Sequence, residues 1–253
     1  MSARLLLLLG RGSSLLVLAL VWEAVCRLGV LPPSVLPAPS AVLARLIVLA
    51  RDPLFLGDLA ATLLRLAGGL ALAAAVGVGL GVATARNRLV AEIAGPLVRV
   101  VAPVPKIALY PALMLVLGFD HASKIALVVA DAFFPLYFAA YFGAATVDRK
   151  LLWSARACGA GRWRSVVTVV LPAALPSIFT GLRIAVVIAC VVVFLSEMLS
   201  SSDGLGHMMI VAARSFRIVD MFVPIVVISA IGLVCDAGIG ALRGRLHLEW
   251  SDG

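Results

Sequence analysis

Long apolar runs, interrupted by short polar or proline-rich stretches, organise this chain. A helix that crosses hydrocarbon needs about 20 mostly apolar residues. Six stretches meet that requirement: 13–31, 59–85, 97–118, 122–146, 174–199 and 218–241. The pattern predicts an all-α, polytopic membrane protein with about six transmembrane helices, residues 1–253 forming one transmembrane unit. Pro103, Pro105 and Pro111 gather around the start of the third stretch, and Pro135 and Pro224 lie inside later ones. Kinks or breaks are expected there, and in transporters such breaks often adjoin the pathway. The first stretch comes after Arg4 and Arg11, as the core of a secretory signal would. It exceeds a typical signal core, and no A-x-A-like site leads into a polar mature domain, so a retained anchor is expected.

Three connections are long enough to hold structure. Residues 32–58 begin with PPSVLPAPS and continue into AVLARLIVLARD, whose apolar spacing predicts an external amphipathic helix. Residues 200–217, SSSDGLGHMMIVAARSFR, form the other external loop. Residues 147–173 form a cytoplasmic loop. No helix breaker occurs from Arg149 to about Ala157, and Gly159 and Gly161 then stop the helix. A second helix begins before Leu171-Pro172, and Pro172 and Pro176 mark the start of the fifth span, where a missing N–H is tolerated.

Composition agrees with the runs. The chain is 63% hydrophobic and 13% charged, with a mean hydropathy of +1.13. A soluble domain carries roughly 25% charged residues, so a soluble enzyme, a disordered chain and a secreted disulfide scaffold are excluded. Cys26, Cys158, Cys190 and Cys235 mostly sit in apolar runs without metal-ligand spacing. The net charge of +8 and pI near 10.0 would suggest nucleic-acid binding in a soluble protein; here their distribution decides. With the N-terminus inside, Arg4, Arg11, Arg86, Arg88, Arg149, Lys150, Arg156, Arg162, Arg164, Arg243 and Arg245 are cytoplasmic. Only Arg27, Arg45, Arg51, Lys124, Arg214 and Arg217 are external. The bias predicts both termini in the cytoplasm and no nucleic-acid partner.

The cytoplasmic loop reads WSARACG at Trp153–Gly159 and VLP at Val170–Pro172. It resembles the signature loop of ABC-importer permeases: a Glu-Ala-Ala element, a Gly a few residues on, and a later aliphatic-Leu-Pro. Trp153 and Ser154 stand where the family has Glu and usually Ala, so the acidic start is absent. Ser154, Ala155, Ala157, Gly159, Leu171 and Pro172 keep the rest of the pattern. Further stretches from about residue 31 to 250 are similar to the branch importing aliphatic sulfonates, taurine, nitrate and related small anions or heterocycles. These include LPAPS (Leu36–Ser40), PLVRVVAPVPKIALYPALMLVLGFD (Pro96–Asp120), SEM (Ser196–Met198) and GLG (Gly204–Gly206). The resemblance implies a permease homodimer in the bacterial inner membrane, two ABC ATPase subunits and an external solute-binding protein. The short cytoplasmic helix of each copy would dock in an ATPase groove and couple its closure to the spans. ATP would be hydrolysed by the partner subunits, with no cofactor bound by this chain.

The chain's own residues offer no catalytic constellation. GAGRWRS (Gly159–Ser165) lacks the second Gly and the Lys of a P-loop. Gly77 and Gly81 fit a small-xxx-small packing face. His121, His207 and His247 are isolated, and no G-x-S-x-G occurs. The rival readings are an ATPase-independent secondary transporter or channel, and a structural scaffold. The former predicts an internal repeat or coupling-ion carboxylates at mid-membrane; no repeat is detectable. The latter would not need the small-residue loop.

Ionisable residues inside spans are costly and usually face a bundle interior or cavity. Glu23 and Asp236 are expected to snorkel or pair locally. Arg65 either meets an anionic substrate or satisfies a carboxylate such as Asp131. Arg183 and Glu197 share the fifth span but lie ~21 Å apart along it, so they cannot pair with each other. Arg183, in the GLR element, is expected to tie to loop carbonyls or a neighbouring acid. Glu197 either pairs with Arg65 or helps gate the external mouth. Phe134, Tyr137, Phe138 and Tyr141 form one helical stripe beside Asp131, read either as ordinary packing or as a pathway lining.

Overall fold

The computed structural model describes residues 16–30, 32 and 34–245. Arg4, Arg11, the beginning of the first predicted span and the tail from residue 246, including His247, lie outside that set. Among the described residues every regular element is helical: α1 (16–27), α2 (Pro39–Leu49), α3 (Pro53–Arg86), α4 (Arg88–Val101), α5 (Tyr110–Leu117), α6 (His121–Ala145), α7 (Arg149–Ala157), α8 (Arg162–Ser165), α9 (Leu171–Leu199), α10 (Leu205–Arg214) and α11 (Ile218–Arg245).

Among the described residues, four helical segments are long and apolar enough to cross a membrane: Pro53–Arg86, His121–Ala145, Arg162–Leu199 and Ile218–Arg245. The predicted third span is not one rod. Arg88–Val101 and Lys106–Leu117 meet at 88°, with Pro103 and Pro105 in the break and a 3-10 turn at Lys106–Leu109 leading into α5. Proline removes the N–H a continuous helix would need and constrains the residue before it, so the angle falls where two prolines are spaced by one residue. Counting the bent pair as one span gives five.

The centre of the molecule is a row of three helices, α3 against α6 and α6 against α9. Small residues permit the close approach. A Cβ on Gly77 would sit 3.0 Å from the Phe133 carbonyl oxygen, and one on Gly81 would sit 2.5 Å from that of Tyr137. Gly79, on the other side of α3, meets nothing within 4 Å. Leu127, Val128, Ala132 and Leu136 from α6 are buried between Leu66 and Ala73 of α3 and Ala185, Ala189 and Val193 of α9. A smaller cluster of Val82, Ala140, Ala144, Val147, Val170 and Ala174 closes the opposite end of the row, beneath α7.

The expected amphipathic helix in 32–58 is α2, which turns Val42 and Leu49 inward. Its Arg45 Nε donates to Asp220 Oδ1 at 2.5 Å, tying α2 to the start of α11. The loop 200–217 is mostly helix: α10 fills it and packs on α9 and α11.

Candidate coupling loop and transport pathway

The two ends of the helical row carry different chemistry. At one end stands α7, bounded by local signals. Asp148 caps its N-terminus by accepting the Lys150 N–H at 2.8 Å. At its C-terminus the Gly159 N–H donates to the Arg156 carbonyl at 2.9 Å and the Ala160 N–H to the Ala155 carbonyl at 3.0 Å. Gly159 has φ +81. This is the paired-bond pattern of a glycine-terminated helix, and the left-handed conformation is one a Cβ would strain.

No residue of α7 is buried. Trp153, Ser154 and Ala157 are exposed and Ala155 half-buried, while Leu152 leans on the small cluster that Val147 and Val170 anchor. Helices this short are marginal in water unless something packs against them. Leu151, 53% exposed, and Trp153, 63% exposed, project from different sides of the helix, and both are uncovered. Beyond Gly161 the chain re-enters the row as one continuous rod, Arg162–Leu199. Its turn at Val166–Val170 widens to π geometry just ahead of Pro172, whose missing N–H could not serve the Thr168 carbonyl. Leu171 and Pro172 thus begin α9 at the root of the loop.

At the other end, Arg65 and Glu197 meet. Their side chains are 2% and 0% exposed, and Arg65 Nη1 donates to Glu197 Oε1 at 2.8 Å. Arg65 also donates to an Asp203 carboxylate oxygen through Nη2, to the Asp203 carbonyl at 3.2 Å and to His121 Nδ1 at 3.1 Å. Glu197 further accepts from the Thr62 hydroxyl at 2.9 Å and from the Gly206 N–H at 3.0 Å. Asp58 accepts the Gly204 N–H at 2.7 Å, and the Thr62 oxygen accepts the Leu205 N–H at 2.9 Å. Three side chains therefore receive the first N–H groups of α10, where the helix dipole favours negative charge. Gly204 has φ +102, and a Cβ there would lie 2.5 Å from the Glu197 carboxyl carbon, so this approach requires glycine. Burial works to raise the Asp203 carboxyl, but its hydrogen bond and charge interaction with Arg65 hold it below the usual carboxylate range.

Arg65 therefore satisfies Glu197 and Asp203, not Asp131. Asp131 lies 3.7 Å from Lys106 Nζ, which also sits 4.1 Å above the Phe134 ring and donates to the Ala102 carbonyl at 2.7 Å. The pair falls at the break between α4 and α5. Arg183 binds Asp236 of α11 through two bonds of 2.5 and 2.6 Å. Glu23 takes Arg27 at 2.7 Å and the Ser40 hydroxyl at 2.7 Å. Tyr137 stacks between Phe133 and Tyr141, with centroids 5.6 and 6.2 Å away.

Two cations absent from the predicted site flank this aromatic stripe. Lys106 is one. The other is Arg99 of α4, which lines a cavity of about 280 Å³ with Thr84, Gly95, Tyr137, Phe138, Tyr141 and Phe142. Its only hydrogen bond among the described residues runs from Nε to its own helix, the Gly95 carbonyl at 3.2 Å. The available sequence signal is a lone arginine inside an apolar run, and the pairing of the other charges isolates it.

The family model described as binding-protein-dependent transport system inner membrane component matches residues 75–247. A putative aliphatic sulfonates transport permease of Bacillus subtilis is 30% identical over 92% of this chain and 84% of the relative. The taurine transport permease of Escherichia coli is 32% identical over 92% and 86% respectively. A formylaminopyrimidine transport permease of Halalkalibacterium halodurans is 32% identical over 93% of both. Among solved structures, a chain of an amino acid ABC transporter aligns with a TM-score of 0.56 over 80% of this chain and 95% of its own length, at 17% identity, a likeness of fold.

Proposed function

The chain belongs to the binding-protein-dependent transport system inner membrane components, the permease subunits of ABC importers, and from that premise we propose how it works. Two copies form the pathway. The exposed helix α7 of each copy docks in an ABC ATPase on the cytoplasmic side, and an external binding protein delivers a small solute to the opposite end. Both termini lie in the cytoplasm. ATP is hydrolysed by the partner subunits; this chain binds no cofactor and contributes a moving part.

The observation that carries the reading is α7: a helix defined by its own caps, rooted by Leu152, exposing Leu151 and Trp153. With Trp153 and Ser154 in place of an acidic start, docking depends on shape and apolar contact. Force applied to α7 passes through the turn at Gly159 and Gly161 into the rod that ends at Leu199, two residues past Glu197, a rigid-body route of the kind switching transitions use.

The cargo we propose is a small anion, a sulfonate or a close relative. Support comes from the sulfonate and taurine cargoes of two relatives and from Arg99 and Lys106 beside the Phe134–Tyr141 aromatic stripe. A guanidinium without a carboxylate partner, set among aromatic walls, suits an anionic group on a short apolar stem.

Gly159→Val tests the coupling. The substitution strains φ +81, so the ATPase should fail to co-purify, or uptake should collapse, with the protein still inserted. Normal co-purification together with normal uptake would refute the reading.

A further inference from the structure

Beside α7, α3 and α4 turn through Asn87 and leave a cavity of about 840 Å³. Its charged lining is entirely arginine: Arg86, Arg88, Arg156 and Arg162. Arg88 is engaged by Glu92 at 2.8 Å. The other three have no carboxylate within ion-pair distance among the described residues, and the lining holds neither Asp nor Glu. Arg86 is the sharpest case: its Nε and Nη2 are shielded from solvent with no hydrogen-bond partner. Buried polar groups are nearly always satisfied, and an unpaired buried guanidinium is costly. Gathering it with two further cations adds repulsion, which an anion would reverse.

The remaining wall is apolar: Val82, Leu89, Leu152, Val166 and Val170, with Trp163 at the rim, 79% exposed. Leu89 opens a track. Ile93, Leu97 and Val100 continue it on the same face of α4, and all four side chains are more than 60% exposed. A basic pocket with an interfacial tryptophan at its mouth and an apolar helix face leading away matches an anionic lipid, headgroup inside and acyl chains along the track. A carboxylate from a protein partner would leave that track unexplained.

We propose that this cavity is a binding site for the phosphate of an anionic phospholipid, held by Arg86, Arg156 and Arg162, with its chains along Leu89, Ile93, Leu97 and Val100. Arginine's planar fork suits bidentate binding of phosphate oxygens. Because Arg156 lies on α7 and Arg86 on α3, the lipid would brace the coupling helix against the row.

The test uses the full chain purified in a neutral maltoside, titrated with dioleoylphosphatidylglycerol and read by native mass spectrometry and thermal unfolding. Arg86→Gln should weaken lipid binding about fivefold, the effect of one basic residue near an anionic surface, and the triple Gln variant should abolish it. Arg149→Gln, which removes the same charge from α7 outside the cavity, should bind as wild type. If Arg86→Gln does not fold, Arg156→Gln/Arg162→Gln carries the test. Equal lipid binding by the triple variant and the Arg149 control would overturn the proposal. So would millimolar inorganic phosphate giving the same thermal shift as the lipid, which would mark a small-anion site. Loss of ATPase co-purification with lipid binding intact would assign the arginines to a protein carboxylate and overturn it too.

Discussion

Replacing Arg65 with Met asks how α10 is held. The substitution keeps the aliphatic stem and removes the guanidinium, leaving Glu197, 0% exposed, without its cation. Its remaining partners are the Thr62 hydroxyl and the Gly206 N–H. Removing one member of a buried ion pair typically costs about 3–5 kcal/mol, because the survivor stays desolvated. The cost should be local. Arg65 holds the Asp203 carbonyl at 3.2 Å, Glu197 receives Gly206 and Thr62 receives Leu205, so the damage falls on the first turn of α10. That energy corresponds to roughly 10²- to 5 × 10³-fold faster hydrogen exchange at those amides if they open locally.

The assay is hydrogen–deuterium exchange of the chain in lipid nanodiscs, comparing peptides across 203–214 with peptides from the centre of α6. Glu197→Gln should be milder, since its amide can keep the Thr62 and Gly206 contacts while Arg65 retains Asp203. The double variant, Arg65→Met with Glu197→Gln, should cost less than the sum of the two singles, as expected of groups that act as one unit. Unchanged exchange across α10 in a well-folded Arg65→Met protein would refute the argument that this ion pair anchors the helix.

Gly81→Val should destabilise the row by at least about 1–3 kcal/mol, the usual cost of overpacking, because the Tyr137 carbonyl, 2.5 Å from the added Cβ, is backbone. Gly79→Val, which meets nothing within 4 Å, is the control, and equal unfolding midpoints would contradict the packing account. Arg99→Gln should lower uptake of an anionic cargo about 10- to 100-fold, the range for losing a hydrogen bond to a charged group. Uptake of a small sulfonate in cells carrying the cognate binding protein measures it, and undiminished flux would remove Arg99 from the pathway.

The loop proposed to couple with the ATPase is legible in the sequence because its signals are local. Asp148 caps the helix that starts at Arg149, Gly159 ends it where the chain must adopt φ +81, and Pro172 marks the root of the span. The same locality exposes the break at Pro103 and Pro105, although their positions alone do not give the 88° between the two helices. α10 is harder to read because LGHMMIVAAR is too short to be a span and sits in an otherwise polar loop. Its position depends on Glu197, eight residues before Leu205 on the preceding helix, and on Gly204 letting the carboxylate approach.

Charge pairing is where sequence reasoning must run short, since Arg65 and Glu197 are 132 residues apart and nothing local to either names the other. Offered Asp131 or Glu197 as the partner of Arg65, the sequence cannot choose; the fold does, by giving Asp131 to Lys106 and Asp236 to Arg183. The assignment matters beyond those residues. In an apolar bundle most charges neutralise one another, and only after each carboxylate has been matched does it emerge which cations have none. Arg99 beside the tyrosines and Arg86 beneath α7 are two of the cations, with Arg156, Arg162 and Lys124 among the others, that the matching leaves without a carboxylate among the described residues. A guanidinium left without a carboxylate beside apolar walls carries its cost for a reason, so Arg99 and Arg86 are places where an anion from outside the chain has much to offer.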